Sequence, residues 1–142
     1  MKLKVQRLSE AALLPQYATY GAACFDLCAA ESGWINAGTQ KSISTGLAFE
    51  VPEGHVMLVF SRSGHGFKSG VRLVNSVGVI DSDYRGEVLI GLRNDSPNDF
   101  PFEECARLAQ AMIIPIPRVD LIEVNDLSET TRGTGGLGST GA

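Results

Sequence analysis

No stretch of this chain holds a 3.6-residue apolar period over three turns, so long amphipathic helices are not expected. No apolar run approaches the ~20 residues needed to cross a bilayer. The N-terminus, MKLKVQRLSEAA, lacks the long apolar stretch of a signal peptide. A soluble, cytoplasmic protein is the expectation. Positive charge is not in excess either. The formal net charge is −4 and the isoelectric point is near 5.1, which argues against stable nucleic-acid or membrane binding. An anionic small ligand stays open, because a local pocket can be basic on an acidic protein. Histidine is scarce, limited to His55 and His65, and Cys24, Cys28 and Cys105 do not complete a four-ligand zinc pattern. An odd cysteine count without a signal peptide points to reduced thiols in buried, structural positions.

What the chain does have is strand signal. Its 142 residues are 44% apolar, enough for one domain spanning 1–142 with its own core. Residues 2–8, 43–51, 55–60, 87–93, 107–116 and 118–124 read as strands. Pro52 and Gly54 place a tight turn between the second and third of these. The stretch SRSGHGFKSG has room for one short helical turn. Short strands punctuated by turn residues predict an all-β sandwich or barrel. No internal repeat or interdomain linker is visible. The composition changes after Leu127, so the core is expected over about 1–127 and an arm over about 128–142.

Four polar clusters interrupt the apolar pattern. Asp26 is a lone carboxylate in AACFDLCAA, and a buried carboxylate needs a partner, a metal or water. Ser61-Arg62-Ser63-Gly64 follows an apolar strand, as a phosphate cradle would, although an ordinary exposed loop reads the same way. Asp81 and Asp83 fall in GVIDSDYRGEV, where a simple hairpin is the plainer account. Arg107 and Gln110 are polar groups inside the apolar strand ARLAQAM, for which a salt bridge or a ladder-edge position is the plainer account. The chain then ends in RGTGGLGSTGA. Gly133, Gly135 and Gly138 have dinucleotide-fingerprint spacing, but only four residues follow, so the helix that motif requires cannot form. The tail instead offers Arg132, Thr134, Ser139, Thr140 and unshielded backbone N–H groups, all donors to an oxyanion. Together the clusters suit a magnesium-bound polyphosphate.

Five motifs, ACFDLCAA, SRSGHG, GVIDSDYRGE, RLAQ and RGTGGLGSTG, stand in the order and spacing of one family. Over nearly its full length the chain resembles the homotrimeric dUTP pyrophosphatases (dUTPases). The resemblance implies a jelly-roll-like β-barrel of the β-clip type with a flexible C-terminal arm. It also implies a homotrimer whose active sites are shared between subunits. The implied reaction is Mg2+-dependent hydrolysis of dUTP to dUMP and pyrophosphate, with water attacking the α-phosphorus, which limits uracil incorporation into DNA and supplies dUMP for thymidylate synthesis. By the same resemblance Asp81 is the catalytic carboxylate and Asp26 supports magnesium through water. Arg62, Ser63, Gly64 and Gln110 face the phosphates, and Arg132, Gly136, Ser139 and Thr140 belong to a lid over them. The segment from Asn75 to Tyr84, with Gly78, Val79 and Ile80, offers a base-pairing edge to uracil, and Tyr84 packs on deoxyribose. The chain departs from the family at Leu137, where an aromatic usually stacks on uracil, at Cys24 and Cys105, where glycine is usual, and at Ser61, where proline is frequent. The related dCTP deaminases and a nucleotide-sensing interaction module are the competing readings.

Overall fold

The computed structural model describes residues 1–139 and 141. The strands run in chain order as β1 (Lys4–Arg7), β2 (Gln16–Tyr17), β3 (Phe25–Cys28), β4 (Gly33–Ile35), β5 (Gln40–Glu50) and β6 (His55–Ser61). After the helix α1 (Ser63–Ser69) come β7 (Val71–Leu73), β8 (Val77–Ile80), β9 (Glu87–Asn94), β10 (Phe100–Phe102) and β11 (Arg107–Pro115). All ladders are antiparallel. They build a four-stranded sheet in the order β1-β5-β9-β7, a five-stranded sheet in the order β2-β3-β11-β6-β8, and a two-stranded β10-β4 ribbon.

The all-β expectation holds, but the barrel does not. Closure would need a ladder between sheet edges, and the sheets stay open, ending on β1 and β7 in one and on β2 and β8 in the other. The short link between β7 and β8 explains part of this. At Ser76 the backbone enters the left-handed region (φ 62°), and the two strands leave for different sheets instead of pairing. The Pro52–Gly54 turn acts likewise. His55 N–H donates to Pro52 C=O at 3.1 Å and Gly54 has φ +73°, yet β5 and β6 also belong to different sheets. Apolar alternation announces strands; it does not announce their neighbours.

The sheets share one core, in which Leu27, Ile43, Leu47, Met57 and Ile90 are sealed from solvent. Two irregularities shape it. In β5 the register against β9 slips between Ser44 and Ala48. There Gly46 adopts φ +62° where a side chain would run into Ser9 and Ala12, and buried Thr45 donates its hydroxyl to Val88 C=O at 2.6 Å. The second slip lies in β11 between Arg107 and Ala109.

Just before β11, Ala106 N–H donates to Glu103 C=O at 3.0 Å, and Cys105 sits third in that turn with φ 67°. A turn with positive φ at this position favours glycine. Cys105 is exposed, against the expectation that all three cysteines are buried, so its side chain has little packing to lose. Cys105→Gly is therefore expected to stabilise the fold by about 0.5–1 kcal/mol in urea unfolding, net of the entropy glycine adds to the unfolded chain. A lower unfolding midpoint would refute this account of the turn.

The predicted strand over 118–124 is absent. Those residues belong to no strand, and Leu121 and Ile122 are 94% and 80% exposed. Their alternation has no sheet to join within this chain. From Ile116 to Ser139 every residue is exposed. Among the described residues no helix is long and apolar enough to cross a membrane.

Candidate active site

Three strand ends assemble the first cluster. Gln110 of β11 stands opposite Asp26 of β3 on one side and Phe60 of β6 on the other. Asp26 lies only 14% exposed, and both of its carboxylate oxygens are engaged. Arg62 Nε reaches Oδ1 at 3.0 Å and Arg107 Nη1 reaches Oδ2 at 3.3 Å. Arg62 Nη1 also donates to Arg107 C=O at 3.1 Å, and Gln110 Nε2 donates to Ser61 C=O at 3.0 Å. The Ser61 hydroxyl accepts from Leu73 N–H at 2.9 Å, which ties the end of β6 to β7. Ser63 and Gly64 remain exposed beside it, and the Arg107 side chain is 54% exposed. Two guanidiniums against one carboxylate leave a local positive charge, so the cluster attracts anions although the whole chain is acidic. Burial first, and then the Asp26 charge, push the Cys24 and Cys28 thiols above their ordinary range, which keeps them protonated at neutral pH.

The second cluster lies at the far end of β8. Asp81 follows the strand and is exposed, while Tyr84 N–H closes a turn onto Asp81 C=O at 3.2 Å. The Tyr84 hydroxyl donates to Glu87 C=O at 3.0 Å. Its ring lies over Gly86, where any side chain would collide with it. Arg85 Nη1 braces the turn by donating to the Ser82 and Tyr84 carbonyls at 2.7 and 2.9 Å. A cavity of about 240 Å³ opens here, walled by Val79, Ile80, Asp81, Tyr84, Val88 and Leu89. Asp81 and Asp83 belong to a turn, so the same-face geometry that a regular strand would give them does not arise. Because β8 is an edge strand, its outer backbone groups have no ladder partner among the described residues. Gly78 is buried against Val59, close enough that a side chain would press on it.

The ladder separates the two clusters. Met57 pairs with Ile80 and Phe60 with Val77, so Asp81 lies past one end of β8 and Arg62 past the other. The five steps of β6 from Met57 to Arg62 span roughly 17 Å at strand rise. Within one chain the two groups therefore stand well apart along the ladder. Asn75 sits at the Arg62 end, with its side-chain amide near Gly78. The predicted arm residues Arg132, Gly136, Leu137 and Ser139 are exposed, and their backbone bonds stay local, Gly135 N–H to Arg132 C=O and Ser139 N–H to Gly136 C=O, each at 3.0 Å. Thr140 lies outside the described residues. Structure thus unites Asp26, Arg62 and Gln110, unites Asp81 with Tyr84, and leaves the arm apart from both.

Sequence reading did not give His65 a role. Its Nε2 lies 2.8 Å from Arg107 C=O. The signal was its position inside SRSGHG in a chain with only two histidines.

Residues 10–141 match the profile of the dUTPase family. The chain is 48% identical over 141 residues to the deoxyuridine 5'-triphosphate nucleotidohydrolase of Nautilia profundicola, covering 99% of each. It is 44% identical over 142 residues to the enzyme of the same name from Hydrogenobaculum, again covering 99% of each. Among solved structures it matches a dUTPase variant of Staphylococcus bacteriophage 80alpha with dUpNHpp at TM-score 0.92 and 28% identity, covering 99% of both chains. It matches a variant of the dUTPase from phage phi11 of S. aureus, solved for the coordination of a structural Mg(II) ion, at TM-score 0.83 and 26% identity, covering 89% of this chain and 98% of that one. The chain belongs to the dUTPase family.

Proposed function

We propose that this single-domain chain, 1–142, hydrolyses dUTP to dUMP and pyrophosphate in a homotrimer whose sites draw residues from different copies. The observation that supports the shared site is the separation of Asp81 from Arg62 along one ladder, when a triphosphate ester needs both a base at its α-phosphorus and cations along its phosphates. Exposed apolar residues in the 118–124 segment, which stay uncovered among the described residues, support assembly as well.

In this reading the free edge of β8, with Asn75, Gly78, Val79 and Ile80, pairs with the polar edge of uracil. A backbone edge matched to one base leaves buried groups unpaired when another base enters. Tyr84, locked by its bond to Glu87 C=O, packs on the deoxyribose and crowds a 2′-hydroxyl. The Asp81 carboxylate, uncovered at the mouth of its cavity, holds the attacking water in line and accepts its proton. Arg62, Ser63, Gly64 and Gln110 of another copy receive the phosphates. Arg132, Gly136, Leu137, Ser139 and Thr140 of an arm close over them.

The donor set bears on magnesium. No group of three His, Cys, Asp or Glu side chains among the described residues could cage a metal, and both Asp26 oxygens already accept from arginines. This fits Mg2+ carried by phosphate oxygens and water, with Asp26 acting through water. When bound, the ion would neutralise charge on the triphosphate.

The test is pyrophosphate release with Mg2+ across dUTP, dTTP, dCTP and UTP. Release from dUTP is expected to exceed the others by at least about 10²-fold, within the range that hydrogen-bond recognition achieves. Ammonia release from dCTP, or equal hydrolysis of UTP, would count against the assignment.

A further inference from the structure

Helix α1 has little to hold it in place. It is seven residues long, none of them buried, with no side-chain cap at Arg62 and no acidic residue in its first turn. Its C-terminal end is tied down by Gly70, which takes φ 65° and accepts from Asp95 N–H at 2.9 Å. At the other end the tether within the helix is His65. Its Nε2 lies 2.8 Å from Arg107 C=O, and since a carbonyl only accepts, that nitrogen carries the proton. The ring also meets Phe100 edge-on, with centroids 5.3 Å apart at 80°. One imidazole thus pins the first turn of α1 to β11 and to β10.

The carbonyl His65 uses is not an idle one. Arg107 C=O also receives Arg62 Nη1 at 3.1 Å, and the Arg107 side chain shares Asp26 with Arg62. A single oxygen therefore fixes both the Arg62 guanidinium and the turn that carries Ser63 and Gly64. We infer that His65 is a positioning residue for the triphosphate, holding the Arg62–Gly64 loop against β11 through the shared Arg107 carbonyl. The inference rests on reading Arg62 and Ser63 as phosphate donors. It adds that their placement depends on a side chain that touches no substrate.

The experiment compares His65→Leu, His65→Gln and Arg62→Gln in the full-length protein. Leucine keeps bulk but donates nothing; the glutamine amide can present a donor near the place of Nε2. Affinities for non-hydrolysable dUpNHpp and for dUMP, which lacks the β- and γ-phosphates, are measured alongside the melting temperature. Loss of one hydrogen bond that positions a binding loop is expected to weaken dUpNHpp about tenfold in His65→Leu. Affinity for dUMP should stay at the wild-type level, and His65→Gln should recover most of the loss. A His65→Leu protein that binds both nucleotides as wild type does, or that loses both equally while melting lower, overturns the inference. Arg62→Gln separates this failure from a failure of the underlying reading. If it weakens dUpNHpp while His65→Leu does not, only the positioning role falls; if it too binds dUpNHpp normally, the phosphate reading falls and takes the inference with it.

Discussion

Asp81→Asn is expected to lower dUTP turnover roughly 10²–10⁴-fold, the range seen when a general base is lost. Binding of dUpNHpp should be nearly unchanged. Asparagine keeps the size and planarity of the side chain and can still hold a water, but its oxygen is a poor proton acceptor. The fold gives the substitution a clean reading. The turn after β8 is closed by backbone, Tyr84 N–H to Asp81 C=O, and braced by Arg85, so the carboxylate is not what holds it. Asp81 is exposed and forms no ion pair among the described residues that the swap would break. The melting temperature should therefore match that of the wild type. Steady-state turnover and calorimetric dUpNHpp binding, measured together, check the claim. Turnover within about threefold of wild type would remove Asp81 from the chemistry, because a base contributing to the barrier cannot be lost at so small a cost.

How much of this was legible beforehand depended on whether a residue's partner is local. Strands β5, β6, β9 and β11 carry long apolar patterns and were readable to within a few residues. The two- and three-residue strands β2, β4, β7 and β10 were not, since strands that short exist only because a neighbour pairs with them. The same blindness turned 118–124 into a strand, because alternation records a tendency and the chain supplies no partner. Barrel closure failed as an expectation for a related reason. Short strands and turns leave sandwich and barrel both open, the family resemblance points to the barrel, and no local signal tells which edges pair.

At the site, Asp26 stood out as a carboxylate in apolar surroundings, and its need for a partner followed from the desolvation of charge. The identity of that partner did not follow. Arg107 lies 81 residues away and arrives only through the β3–β11 register. His65 was hidden more deeply, because its acceptor is a backbone carbonyl, and every residue has one. Cys105 was the reverse case. It was marked beforehand as a departure from a usual glycine, and its φ of 67° gives the physical reason glycine is preferred there.

The proposed sharing of sites between copies leads to the other large expected effect. Asp81→Asn and Arg62→Gln chains, each nearly inactive as a pure protein, are expected to recover activity when unfolded together and refolded as a mixture. Asp81 and Arg62 lie past opposite ends of the β6–β8 ladder, a separation that favours a site divided between copies. Each site would then take its carboxylate from one copy and its guanidinium from another. In an equal mixture each group is intact with a chance of one half, independently, so about one quarter of the sites carry both, given a closed ring assembled at random. Specific activity should rise from the residual level of either variant to about a quarter of wild type, following the product of the two chain fractions as the ratio is varied. Trimer content is checked by light scattering. Folding of each pure variant is checked by its melting curve, because Arg62→Gln leaves Asp26 with Arg107 as its remaining partner. If both groups served a site within a single chain, no mixture could contain a site with both intact, and the activity would stay at the weighted mean of the two variants. A flat profile across mixing ratios, from samples shown to contain mixed trimers, would reject the division of the site between copies.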